Sequence, residues 1–239
     1  MPHKSLIIIV CLSLILSSCN KEIKTSFSEI NVSTESNNIV EVNIPKAIGN
    51  KGITSKINSA IQKPIIAALH VGDPDQLTSK SIKESINLFN NEYATFKTDF
   101  PEAAPQWEAQ IDGEVMFQSP EIISIAITSY TNTGGAHGAL NISLLNFEAK
   151  TGELIQNSEL INNVEGFKKL AKTYFDEAIK DKDIIFNTET FKLPTNIAYS
   201  EEGVVLLYNT YEIAPYSTGV IEFSIPFNDA KPYLVFNSL

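Results

Sequence analysis

Apolar and polar positions alternate, repeat at helical spacing, or run unbroken in clearly separated stretches of this chain. Ile39–Pro45 (IVEVNIP) alternates and predicts a half-buried strand. Ile53, Ile57, Ile61 and Ile65 recur at every fourth position, which draws a helical stripe that Pro64 either kinks or splits. Gly72-Asp73-Pro74 is a turn. Over Ser79–Phe100, Ile82, Ile86, Phe89, Tyr93, Phe96 and Phe100 fall on one helical face, and Ser81 with Glu84 has the spacing of a capping box. Pro101 and Pro105 end that helix. Trp107–Gln118 and Ile122–Thr131 then read as neighbouring strands joined through Ser119-Pro120-Glu121, and Leu140–Glu148 as a third before the turn Ala149–Gly152. Val164–Ile179 is a second amphipathic helix. Asn196–Tyr199, Val204–Tyr211 and Gly219–Ile225 are three further strands, with a turn of helix at Asn228–Tyr233. Strands in runs with separate helices predict an α+β fold, a mainly antiparallel sheet with two to three packed helices.

Two stretches fall outside this alternation. Leu6–Leu16 is apolar except for Ser13, follows Lys4, and leads into Leu16-Ser17-Ser18-Cys19. A charged start, a short apolar core and small residues before a cysteine make a bacterial lipoprotein signal over residues 1–18, with Cys19 as the acylated first residue of the mature protein. The core is about half the ~20 residues a membrane-spanning helix needs. Asn20–Asn38 is rich in Ser, Asn, Lys and Glu and reads as a flexible tether. Residues 19–38 would thus link the lipid to one globular domain over 39–239, in two sequence halves of about 39–148 and 149–239. The expected location is the bacterial cell envelope, membrane-anchored and facing the periplasm or the cell surface.

Composition narrows the function. Of the two cysteines, Cys11 lies in the signal and Cys19 carries lipid, so no disulfide remains. All 18 basic residues are lysine, against 28 acids, for a net charge of -10. Without arginine and with an acidic balance, the chain is not built for nucleic acid. The same balance argues against electrostatic attachment to anionic lipid, leaving the acyl chains as the membrane link. An acidic surface suits a basic partner.

No Gly-rich phosphate loop, no His pair at i and i+4, and no Gly-x-Ser-x-Gly elbow occurs. With only His70 and His137 beyond the signal, neither a metal site, a cofactor site nor a catalytic residue is assigned. His70 closes an apolar helix and is expected to cap its carbonyl end or fill core space. Tyr130–Leu140 (YTNTGGAHGAL) sets Gly134, Gly135 and Gly138 around His137 between two strands. Glycine allows close backbone approach and positive φ, leaving N–H groups open to a ligand. Tyr208–Gly219 (YNTYEIAPYSTG) holds three tyrosines, Glu212 and Pro215, a composition that suits a recognition surface. The bland alternatives are a hairpin whose histidine bonds its own loop, and an aromatic turn whose glutamate ties down backbone N–H groups.

Taken together, Gly134-Gly135-Ala136-His137-Gly138, Asn146-Phe147, Thr151-Gly152 and Tyr211-Glu212-Ile213-Ala214-Pro215-Tyr216 resemble one family. This is the extracytoplasmic domain of unknown function shared by the lysozyme-sensing anti-sigma factor RsiV and by PdaC-type peptidoglycan deacetylases, in which it precedes the catalytic part. The likeness spans roughly Ile39 to Tyr233. It implies a module that binds a cell-envelope ligand, lysozyme in the sensor. The chain shows neither the sensor's cytoplasmic and transmembrane segments nor the deacetylase domain, so neither activity carries over. The expectation is a non-catalytic module that binds a cell-wall fragment or a basic lysozyme-like protein. Tyr130, Gly134, Gly135, His137, Tyr211, Glu212 and Tyr216 are its ligand-binding candidates. The alternatives are a wall hydrolase using Glu212 and His137, and a purely structural envelope lipoprotein.

Overall fold

The computed structural model describes residues 24–102, 105–180 and 191–237. The signal and Cys19 lie outside the described residues.

Among the described residues, nine strands form two sheets. Strands β1 (Ser26–Asn31), β2 (Val40–Ile48), β3 (Glu108–Gln118), β4 (Ile122–Asn132), β5 (Ala139–Glu148) and β6 (Leu154–Ile155) make a six-stranded sheet in sequential order. All its pairs are antiparallel except β2 with β3, which run parallel because two helices cross between them. Strands β7 (Asn196–Tyr199), β8 (Gly203–Tyr208) and β9 (Ile221–Pro226) form a second, antiparallel sheet. The fold is α+β and mainly antiparallel, as the alternation predicts.

The strand β1 lies inside the stretch expected to be a tether. Its polar positions mask the two apolar ones without any alternation: Phe27 and Ile30 pack on the core while Glu29 and Asn31 stay in solvent. Pairing with β2 rescues a segment whose composition alone would not fold.

Helix α1 (Lys51–Ala68) continues unbroken through Pro64, so the stripe is neither split nor ended there. Asn50 caps it, its side chain accepting from Gly52 N. Helix α2 (Ile82–Asp99) starts at Ser81, whose hydroxyl accepts from Glu84 N. The Glu84 carboxylate reaches back to Lys80 N rather than to Ser81 N, one residue beyond a standard capping box. His70 neither caps α1 nor fills the core. Its Nε2 meets the Asp73 carbonyl at 2.8 Å and ties down the following turn.

Alternation along β4 builds two cores at once. Ile123, Ile125 and Ile127 face α1 and α2, joining Ile57, Ile61, Ile65, Ile86 and Phe89. Ile122 and Ser124 face the second sheet. There α4 (Val164–Ala178) places Phe167, Ala171 and Phe175 against Leu206, Tyr208 and Phe223. The short helices α3 (Asn157–Leu160) and α5 (Phe227–Ala230) close this second core.

Buried polar side chains join the halves. Ser124 Oγ donates to Asn146 Oδ1 at 2.7 Å, Asn146 Nδ2 donates to Ile197 O at 2.7 Å, and Tyr199 N donates to Ser124 Oγ at 3.2 Å. Strand β8 ends at Tyr208, three residues short of the expected Tyr211. Asn209 takes over the strand's role, donating to Ile142 O and accepting from Ile142 N, each at 2.8 Å.

Candidate functional site

The two segments singled out in the sequence meet at one end of the large sheet. At this rim β1 ends, β2 and β3 begin, β4 ends and β5 begins. The loop after β8 lies over the start of β5: Thr210 Oγ1 donates to Leu140 O at 3.3 Å. Glu212 N donates to Asn209 O at 3.1 Å, closing a turn. Within it Tyr211 adopts φ 67°, making it the one non-glycine residue with positive φ among those described. A bulky residue in this region costs roughly 1–2 kcal/mol, and such strain persists where the surroundings impose it.

The turn carries Tyr211 outward, 57% exposed, toward the glycine loop. Its hydroxyl lies 3.3 Å from His137 Nε2. His137 Nδ1 lies 3.1 Å from Gly138 O, and a carbonyl only accepts. Nδ1 therefore carries the hydrogen, Nε2 of the neutral ring is the acceptor, and the Tyr211 hydroxyl donates to it. The imidazole stacks on Tyr216 with ring centroids 3.7 Å apart and planes 14° from parallel. Tyr211 and Tyr216 stand 5.8 Å apart. Three rings thus form one aromatic group drawn from two distant segments, with His137 and Tyr211 exposed and Tyr216 half-buried beneath the imidazole.

The glycines shape its support. A Cβ on Gly138 would lie 2.4 Å from the Tyr130 ring, so this glycine lets Tyr130 pack beneath the loop. Gly134 has φ 84°, and a Cβ there would lie 2.2 Å from Pro105. Gly135 meets only its own loop, nothing closer than His137 O at 3.7 Å. Tyr130 is half-buried and acts under the rim rather than on it.

Glu212 departs from the expected grouping. Its Oε1 accepts from Thr195 N at 3.0 Å and Thr195 Oγ1 at 3.2 Å, and its Oε2 accepts from Asn209 N at 2.9 Å. Both oxygens are engaged in pinning the turn to the segment before β7. The rings are brought together and the carboxylate is turned away from them.

A pocket of about 390 Å³ opens on the same rim, lined by polar side chains including Asn37, Asn38, Glu41, Gln106, Glu108 and Gln110. Gln110 lies directly across the strand pair from Tyr130. Trp107 forms part of its wall, 5% exposed and packed on Phe89, Tyr93 and Phe96. Sequence reading missed this pocket because its residues are ordinary surface polars that only the parallel β2–β3 pairing assembles. Among the described residues, no group of three or more His, Cys, Asp or Glu is placed to hold a metal. No described helix is long and apolar enough to cross a membrane.

Comparison with known proteins places the two halves. Residues 30–140 match the family described as Deacetylase PdaC, and residues 148–228 match DUF3298, a protein family of unknown function. No curated protein matches the chain. A DUF3298 family protein from Bacteroides fragilis NCTC 9343 superposes with a TM-score of 0.60 at 19% identity, over 90% of this chain and 96% of that one. One from Pseudomonas aeruginosa PAO1 does so with a TM-score of 0.57 at 19% identity, over 90% and 94%. The helix-covered sheet with its glycine loop thus falls in the stretch similar to the PdaC family, and the aromatic turn that closes over it in the stretch similar to DUF3298.

Proposed function

We propose that the protein is a lipid-anchored, non-catalytic receptor of the bacterial cell envelope that holds a wall glycan fragment along this rim. The observation that carries the reading is the His137–Tyr211–Tyr216 group, held rigid by stacking and by a strained turn. Rigid aromatic area with polar tips binds the apolar C–H face of a sugar ring at low entropic cost. The adjoining pocket offers carboxamides and carboxylates to hydroxyl and acetamido groups. A hydrolase reading loses its partner, because Glu212 spends both oxygens on Thr195 and Asn209. Calorimetric titration with purified muropeptides tests the proposal. Binding by the wild type, weakened about tenfold or more by Tyr216→Ala, is expected; absence of wild-type binding overturns it.

A second reading, a basic lysozyme-like protein as ligand, is favoured by a different observation. Glu41, Glu108, Asp112 and Glu114 project from the solvent-facing side of β2 and β3, the first two at the same rim and the others along the strand away from it. Capture of lysozyme that falls steeply with added salt would select it over the glycan.

A further inference from the structure

The opposite pole of the large sheet carries a second pocket, of about 370 Å³. It lies where β1 begins, between the β3–β4 turn and the β5–β6 turn. Ile53, Pro120, Ile123 and Ala149 give it an apolar floor, and Lys24 and Lys150 stand on its wall. Both lysines are exposed and neither is in an ion pair with a described residue. Thr25 also lines it. That residue is 7% exposed, and its Oγ1 is buried with no hydrogen-bond partner among the described residues. A buried, unmatched hydroxyl is destabilising unless something fills its bond. Gln118 holds the Thr25 backbone in place, Nε2 donating to Thr25 O at 2.7 Å.

The acids nearby are occupied elsewhere. Glu153 pairs with Lys56 at 2.5 Å, and Glu148 accepts from Thr151 Oγ1 at 2.6 Å. The pocket therefore combines an apolar base, a free hydroxyl and two uncommitted positive charges in a chain of net charge -10. That combination fits an amphiphile with an anionic head.

Its position names the amphiphile. Cys19 precedes Lys24 by five residues, at most about 17 Å when fully extended. With β1 starting at Ser26, early in the expected tether, the lipid reading of Cys19 holds this pole against the bilayer. The eleven residues of β3 put the aromatic rim about 33 Å farther out. We infer that this pocket binds the headgroup and upper acyl region of an anionic phospholipid, setting the domain upright with its aromatic rim away from the membrane. The orientation rests on acylation at Cys19; the pocket's lipid preference does not. Whole-chain acidity, which argues against anionic lipid, averages away this local pair of lysines.

Titration of the purified chain with short-chain lipids below their micellar concentration tests it. Dihexanoylphosphatidylglycerol is expected to bind roughly tenfold or more tighter than dihexanoylphosphatidylcholine, since each lysine near an anionic headgroup contributes about 1 kcal/mol. Glycerol phosphate and inorganic phosphate, lacking tails, are expected to bind at least as weakly as the choline lipid. Lys24→Glu with Lys150→Glu should abolish the preference, and the Lys24→Gln, Lys150→Gln pair should do so if the first does not fold. Equal binding of the two lipids, free phosphate binding as tightly as phosphatidylglycerol, or no binding of phosphatidylglycerol each overturns the inference. Palmitate incorporation at Cys19 is read separately: its failure removes the anchor and the orientation while leaving the titration to decide the site.

Discussion

Individual residues of the aromatic turn divide sharply between holding and presenting. Glu212 holds. It satisfies two backbone N–H groups and a hydroxyl across 17 residues of chain. Glu212→Ala should cost about 2–3 kcal/mol in chemical denaturation, because donors paired to a carboxylate lose their acceptor together. The affinity of the remaining folded molecules for ligand should be unchanged. Tyr211 and His137 present. The histidine was legible as a candidate from its glycine neighbours. The holding role of Glu212 was legible as one alternative, a glutamate tying down backbone N–H groups, but Tyr211 and Glu212 are adjacent in sequence and only the turn geometry, pointing one outward and the other back, selects it. The partner that reveals Glu212's role, Thr195, carries no motif at all.

Elements were legible wherever one face met one core. Helices α2 and α4 and strands β3, β4, β5 and β7 lie within a residue or a few of where periodicity predicts them. The failures have a common physical cause, pairing that composition does not advertise. Strand β1 hides among serines, asparagines and glutamates, and β8 yields to a side-chain imitation of strand pairing at Asn209. The second core was invisible as a separate unit because β4 serves both: its odd positions face the helices and its even positions the smaller sheet. Asn146 sits where these layers join, 1% exposed, bonded to Ser124 and to Ile197 O. Asn146→Ala should destabilise by about 2–4 kcal/mol, since it strands two buried polar groups and leaves a void. Denaturation followed by urea midpoint at constant slope checks this.

At the scale of the whole molecule, the second core carries a pH signature. Burial raises the Tyr199 phenol above its ordinary value near 10. Burial, followed by the Glu212 charge, does the same for Tyr208, whose hydroxyl donates to Lys192 O at 2.5 Å. The folded state therefore keeps both protons where the unfolded chain loses them. Their stabilisation is complete below about pH 10 and declines as pH rises above it, by up to about 1.4 kcal/mol per pH unit for each group. Tyr208→Phe should flatten that decline in melting experiments between pH 9 and 11, while a wild-type stability that is constant across this range would contradict the assignment. The pole proposed for lipid and the rim proposed for ligand lie at opposite ends of the long strands.

The central claim is that backbone strain at Tyr211 is retained for recognition. Substitution by asparagine, which enters the left-handed region readily, isolates it. For Tyr211→Asn the account predicts a stability equal to the wild type or higher by up to about 1 kcal/mol, together with a loss of about tenfold or more in muropeptide affinity. A variant that is clearly less stable and binds muropeptide as the wild type does would contradict it, assigning the tyrosine to the architecture and not to the ligand.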